Sequence, residues 1–392
     1  MLIIKLAVRN ILGAGLRTWL NVFILSLAFL TIVGVQGLLQ GFNQQAMDAM
    51  IDMELGGGQF WHRRYDRYDP LSIENAHEKM PESLTRLIRK GEATAILMTS
   101  GAIFPEGRIQ SVVLKGIDPA QTLLDIPSAI LQTHGEGDIP ALIGSRMAKE
   151  ARLEKGEVVT LRWRDIFGTF DATEIVVAGI MSTSVQSVDS NQIWIPLDTL
   201  REMIQAPGQA TLVVLSKNLR NIPPDDGVFV FRDLDFLLKD LTAFIKTKSA
   251  GSSILYVLLL FMSLLAVFDT QILSIFRRRK EMGTLMALGM PRTAIIGLFT
   301  LEGALHGVLA LAMAAVYGVP LLALAAVKGI ALPSMTESIG LAIADTVYPA
   351  YGAGLVLGTT FLILITVTIV SFLPTRRISR LKPTDALRGK FT

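Results

Sequence analysis

Residue types able to do covalent or metal chemistry are scarce in this chain. It has no cysteine and four histidines, His62, His77, His134 and His306. Without cysteine there is no disulfide framework, cysteine zinc site, iron–sulfur cluster or thiol nucleophile. The histidines lie outside any HExxH or other ligand spacing, so neither a metal site nor a histidine triad is expected. The chain also lacks GxxxxGK[ST], the loop that cradles nucleotide phosphates; its Gly56–Gly58 run has neither the following Lys-Ser/Thr nor the helix such a loop needs. No catalytic residue and no cofactor of its own is therefore expected. Three ionisable groups stand out, Asp269, Glu302 and His306, because they lie in or beside long apolar runs where a charge is costly. Asp269 precedes Arg277 by two turns, within reach of an ion pair or the membrane surface. Glu302 and His306 are four apart, a spacing that allows a hydrogen-bonded pair or a proton relay on one helical face.

The elements that hold these groups must lie partly in lipid. Of 392 residues 51% are apolar and 18% charged, with a mean hydropathy of +0.48, which argues against a wholly soluble chain. Four runs have the length and lack of charge a membrane helix needs. They are Trp19–Leu39, Ser249–Phe268 (apolar as far as Phe276 past Asp269), Gly303–Val327 and Val347–Leu373. The first exceeds a signal-peptide core and no A-x-A follows it, so it reads as an uncleaved helix. Basic residues cluster before the first helix (Lys5, Arg9, Arg17), between the second and third (Arg277–Lys280, Arg292) and after the fourth (Arg376–Lys390), marking those segments and both termini as cytoplasmic. Residues 42–248 hold 22 Lys+Arg against 28 Asp+Glu, net −6, and the rest hold 15 against 6, net +9. The basic balance is a positive-inside signature, not a nucleic-acid patch.

The expected fold class is an α-helical membrane protein of four transmembrane helices with a large α+β domain between helices one and two. The expected divisions are 1–41 (N-terminal segment and first helix), 42–248 (outer domain with stalk ends), 249–276 (second helix), 277–292 (cytoplasmic loop), 293–327 (third helix), 328–346 (outer loop), 347–373 (fourth helix) and 374–392 (tail). In the outer domain, period-two runs predict strands over Gln110–Gly116, Glu157–Trp163, Thr173–Gly179, Ala210–Leu215 and Val228–Phe231. Helices are predicted over Pro81–Arg89, Ser145–Leu153 and Leu197–Ile204. Leu234 to Ile245 keeps helical apolar spacing with no proline before the second helix, and Leu38 to Ile51 does the same after the first, so two helical stalks are expected. In the 277–292 loop, Met282, Leu285, Met286 and Leu288 follow Glu281 at helical spacing. Gly289 then stops that helix and Pro291 starts the next. Such a helix would lie across the membrane surface, with Arg277–Lys280 at the lipid headgroups.

Several segments together resemble the FtsX-like permeases, membrane subunits of type VII ABC transporters. They are LAVRNI with LRTWL (Leu6–Leu20), RRRKEMGTLMALGMPR (Arg277–Arg292), PTRRISRLKPTDALR (Pro374–Arg388) and, in the outer domain, VVLKGIDP (Val112–Pro119), ALIGSRMAKEARLEKGEVVTL (Ala141–Leu161) and VVAGIMSTSVQSVDSNQIWIPL (Val176–Leu197). The resemblance implies that Arg279, Lys280, Glu281, Met282, Gly283, Leu285, Met286, Leu288 and Gly289 form a coupling helix seated in a groove of a partner ATPase. It implies two copies of that ATPase, which would bind the ATP and magnesium, and a second permease chain, identical or a paralogue. It implies a structural or interprotomer role for Glu302 and His306, and residence in a bacterial inner membrane. With only about 18 residues before the first helix, the chain departs from the MacB-type macrolide exporters, whose ATPase domain is fused ahead of it. VVLKGIDP, QGF (Gln40–Phe42) and the size are most similar to the lipoprotein-releasing (LolC/LolE) branch. That branch implies extraction of lipoproteins from the membrane lipid, passed to a periplasmic carrier or adaptor. Acyl chains would then meet Leu38, Leu39, Phe42, Val257, Leu258 and Phe261 in a cavity between helices one and two. A MacB-like exporter of periplasmic substrates, and a regulator of a periplasmic enzyme, are the alternatives.

Overall fold

The computed structural model describes residues 15–132, 138–183, 185–331 and 346–378. The LAVRNI motif, His134, most of the 328–346 loop and the tail beyond Ile378 lie outside them. The helices are α1 (Leu16–Met50), running straight into a π-helical turn at Ile51–Leu55, then α2 (Glu82–Arg89), α3 (Ser145–Ala151), α4 (Gln186–Asp189), α5 (Leu197–Met203), α6 (Leu234–Leu237), α7 (Lys239–Arg277), α8 (Arg279–Ala287), α9 (Arg292–Lys328) and α10 (Ala353–Ile378). The strands are β1 (Gln59–His62), β2 (Glu78–Lys79), β3 (Ala93–Ile103), β4 (Gln110–Ile117), β5 (Ile139–Gly144), β6 (Val158–Arg164), β7 (Phe170–Met181), β8 (Gln192–Pro196), β9 (Gln209–Ala210), β10 (Leu212–Leu215), β11 (Phe229–Arg232), β12 (Ile330–Ala331) and β13 (Thr346–Val347). Two compact units result, one containing Gln44–Phe244, the other containing α1 up to Asn43, Ile245–Ala331 and the chain from Thr346.

The Gln44–Phe244 unit is built on a nine-stranded sheet in the order β11-β1-β10-β3-β4-β8-β5-β7-β6. β6 also pairs back to β3, with Leu161–Trp163 opposite Gly101–Ile103. Six strands thus close into a ring that leaves no free edge among them. β3 can serve both partners because its first residues pair with β10 and its last with β6. Successive side chains of β3 enter different cores: Ala95 and Leu97 join one with Leu114, Ile143 and Val177, and Ile96 and Met98 join another with Trp194 and Leu142. The second core also takes Met47 and Met50 of α1, Met53 and Leu55 of the π turn, and Leu237 and Leu238. Each large side chain buried there contributes roughly 1.5–3 kcal/mol of hydrophobic stabilisation. The GSR of residues 144–146 has a local reason: the buried Asp189 carboxylate accepts from the Ser145 hydroxyl and the Arg146 N–H, each at 3.2 Å, satisfying the open start of α3.

In the other unit, Val22 and Leu25 of α1, Leu264 of α7, Ala310 of α9, and Ile363 and Val367 of α10 form one apolar cluster. α1 runs parallel to α9: Ser26 Oγ lies 2.9 Å from Tyr317 Oη, Leu30 covers Gly318 and Leu322 reaches Gly34. α7 is antiparallel to both, with Leu264 beside Ala310 and Arg278 beside Glu302. Among the described residues three helices are long and apolar enough to cross a membrane: Trp19–Leu55, Arg292–Lys328 and Ala353–Arg376. Within α7, itself Lys239–Arg277, the apolar stretch among the described residues is Ser253–Leu265. The stalk expected from Leu234 onward is interrupted. α6 ends at Leu237, and Leu238 (φ −90°, ψ 1°) leaves helical geometry before α7 begins.

Candidate functional site

The segment from Arg278 to Gly289 joins α7 to α9. Arg278 leaves helical geometry (φ −96°, ψ 9°), and α8 starts at the next residue. α8 ends at Ala287; just beyond it Gly289 has a φ of +94° that favours glycine, and Met290 N–H closes on the Leu285 carbonyl at 3.0 Å. Pro291 then opens α9. The glycine stop and proline start act as their residue types suggest.

α8 presents two faces. Leu285 and Met286 pack with Met290 against Ile295, Leu298 and Phe299 of α9, and Gly283 is buried. Lys280, Glu281, Leu288 and Gly289 are exposed, Leu288 with 79% of its surface. The side chains of Arg279 and Met282 are outside those described. Two of the expected coupling residues, Leu285 and Met286, therefore serve packing within the chain.

Arg278 binds α8 to α9. Its Nε donates to Glu281 Oε2 at 2.8 Å, and its Nη1 lies 2.9 and 2.8 Å from Glu302 Oε1 and Oε2. The guanidinium carbon stands 4.9 Å from the centre of the Phe299 ring. Burial works against the Arg278 charge, but Glu281 and Glu302 more than offset it and hold the group above its ordinary pKa. Glu302 keeps only 9% of its side chain exposed, so its charge is tolerated through this partner. His306 is also buried, and its Nδ1 lies 2.8 Å from the Glu302 carbonyl oxygen. A carbonyl can only accept, so Nδ1 donates. The Glu302 carboxylate and the His306 ring thus take different partners, rather than the paired side chains the four-residue spacing allowed. Asp269 is exposed on α7. Sequence reading placed Arg278 among the headgroup-facing basic residues and missed its bond to Glu302, which no local spacing announces.

Of the six residues expected to line a substrate cavity, Leu38, Leu39 and Phe42 are half-buried on α1, whereas Val257, Leu258 and Phe261 are exposed on α7. QGF has a packing reason: a Cβ at Gly41 would overlap the Tyr348 carbonyl and one at Gly37 the Tyr351 ring, while the Gly37 carbonyl accepts from Ala350 N–H at 2.9 Å. A cavity of about 350 Å³ lies in the other unit, lined by Glu74, His77, Ser100, Arg164, Asp165 and Phe167 among others. Among the described residues no group of three or more His, Asp or Glu is arranged to hold a metal.

No curated protein sequence matches the chain. The extracellular domain of the noncanonic ABC-type transporter YknZ from Gram-positive bacteria aligns with 41% of this chain and 83% of its own, at 12% identity and a TM-score of 0.26. Residues 253–383 match the FtsX-like permease C-terminal family, and the match and the apolar helices agree on a multi-pass membrane protein. Over about a third of its length, taking in most of α7 and all of α8, α9 and α10, the chain is similar to the C-terminal domain of FtsX-like permeases.

Proposed function

We propose that the chain is the permease subunit of an FtsX-like ABC transporter. A separate ATPase, present in two copies, would supply ATP hydrolysis, and a second permease chain would complete the complex. The family match over residues 253–383 carries this reading, because it spans α8 and the helices on either side. The exposed side of α8, with Lys280, Glu281 and Leu288, is the surface offered to the ATPase, and Leu285 and Met286 are its anchor to α9. In this reading nucleotide-driven closure displaces α8, and the motion passes through the helices to the β-rich unit on the outer side of a bacterial inner membrane.

The substrate we favour is a lipoprotein extracted from the outer leaflet and handed to a periplasmic carrier. The exposed apolar face of α7, including Val257, Leu258 and Phe261, suits acyl chains. Drawing such chains from lipid costs roughly 0.8 kcal/mol per methylene, which calls for ATP-driven work. The test is to purify the chain with its natural ATPase from native membrane and identify bound molecules by mass spectrometry. Acylated lipoproteins, released to a soluble carrier only with ATP, would support extraction. An adaptor or a hydrolase in their place would shift the output to export or to enzyme regulation. Recovery with no ATPase would remove the transporter reading altogether.

A further inference from the structure

We infer that the Arg278–Glu302 pair is the joint that makes α8 and α9 move as one body, so that Arg278 and Glu302 are positioning residues for energy transfer. The inference rests on the transporter reading above and adds a mechanical element to it. Three observations carry it. Arg278 stands in the break between α7 and α8, where the chain leaves helical geometry. A bare break of this kind would let α8 swing, since only one residue separates the two helices. Its guanidinium bridges that break to the interior of α9, with both Glu302 oxygens within 2.9 Å and the Phe299 ring on one side. The same guanidinium holds Glu281, one turn into α8, at 2.8 Å. One cation thus ties the start of α8 to α9, while Leu285, Met286 and Met290 tie its end to the same helix through Ile295, Leu298 and Phe299.

Apolar packing resists separation but allows sliding, because it has little directionality. A charge-assisted bond to a nearly buried carboxylate is directional and costly to break in a low-dielectric setting. The two attachments together fix both ends of α8 on α9. A push on the exposed side of α8 is then delivered to α9 along its length rather than absorbed by rotation about the Arg278 break.

Single substitutions would strand a buried charge and risk misfolding, so the informative variant is the double Arg278→Met with Glu302→Met, which removes both charges and keeps side-chain volume. The chain has no cysteine, so spin labels at Leu288→Cys and Val316→Cys, both exposed positions, report the α8–α9 distance without background. In lipid without any partner, the distance distribution should be narrow in the otherwise native chain and at least twofold broader in the double variant. Equal widths would overturn the joint. With the ATPase bound, and without the labels, the double variant should keep its association yet lose threefold or more of ATP-dependent substrate release. A smaller loss would overturn the role in transfer. If no ATPase associates with the native chain, the transporter reading fails while the label distances still decide the joint. If the double variant does not fold, the otherwise native chain labelled at Thr284→Cys, an exposed α8 position away from the residues offered to the ATPase, and Val316→Cys decides: a distance that shifts on ATP binding would refute a rigid unit, and an invariant one would support it.

Discussion

At the scale of single residues, buried charges decide where the chain is sensitive. Lys115, with 7% of its side chain exposed, donates to Glu54 Oε1 at 3.0 Å and sits 4.9 Å over the Trp194 ring. Glu54 belongs to the π turn that ends α1, so this pair pins the turn to β4. Lys115→Met would remove the cation from this buried pair. A destabilisation of about 3 kcal/mol is expected, with the double change Lys115→Met, Glu54→Gln recovering most of it; denaturant titration followed by tryptophan fluorescence measures both. His62 gives a pH signature. Burial is the largest influence on it and lowers its pKa from 6.5; Arg63, Arg64 and His77 act in the same sense and Glu78 opposes them. Its Nδ1 accepts from Arg64 N–H at 3.3 Å, which needs the ring unprotonated. Between the lowered folded value and 6.5 the unfolded chain binds more protons, so this residue's contribution is intact above 6.5 and declines as pH falls through it. His62→Gln should flatten that decline in melting temperature measured from pH 7.5 to 5; an unchanged slope would assign it to other groups. Glu302 belongs with these residues: its place within the apolar run marked it as costly in the sequence, yet only the folded chain supplies Arg278 as the reason it is tolerated.

At the scale of elements, close approach and exposure separate positions of the same residue type. Gly41 lets the backbone at Tyr348 lie directly on α1, whereas a methyl group at Gly251 in α7 would meet nothing within 4 Å. Gly41→Ala should therefore push the 348–350 segment off α1 and lower the melting temperature. Gly251→Ala should raise stability by up to about 1 kcal/mol, the ordinary gain of alanine over glycine in a helix. Leu285 within α8 and Leu288 at its C-terminal cap give a second contrast. Leu288→Asp changes an exposed residue and should abolish ATPase association at constant melting temperature; Leu285→Asp places a charge against Leu298 and Phe299 and should lower that temperature itself. Pull-down and thermal unfolding on the same preparations distinguish them. Among the strands read from sequence, β6 alternates exposed and buried along its whole length, and Glu157–Trp163 announced it, whereas β10 was read although all four of its residues are buried. β3, β5, β8 and β1 are covered on both faces over most of their length, so no alternation of polar and apolar residues marks them.

At the scale of the whole molecule, the absence of cysteine makes topology directly measurable. A cysteine at Leu288, in the loop expected inside, should react with a membrane-impermeant maleimide only after the membrane is opened. One at Phe167, 74% exposed in the β-rich unit, should react in intact spheroplasts; the reverse pattern would invert the orientation read from the basic residues. Whatever depends on local composition and period was legible from the residues alone. The apolar runs marked the long apolar helices, the basic clusters suggested a direction, and Gly289 and Pro291 marked the stop after α8 and the start of α9. These follow from transfer free energy and backbone preference, which act residue by residue. Contacts between residues far apart in the chain came only with the folded structure: the return of β6 to β3 that closes the ring, the meeting of Lys115 with Glu54, and the bond from Arg278 to Glu302. Such pairings arise from how elements pack and which buried groups must find partners, and neither period nor spacing along one segment encodes them.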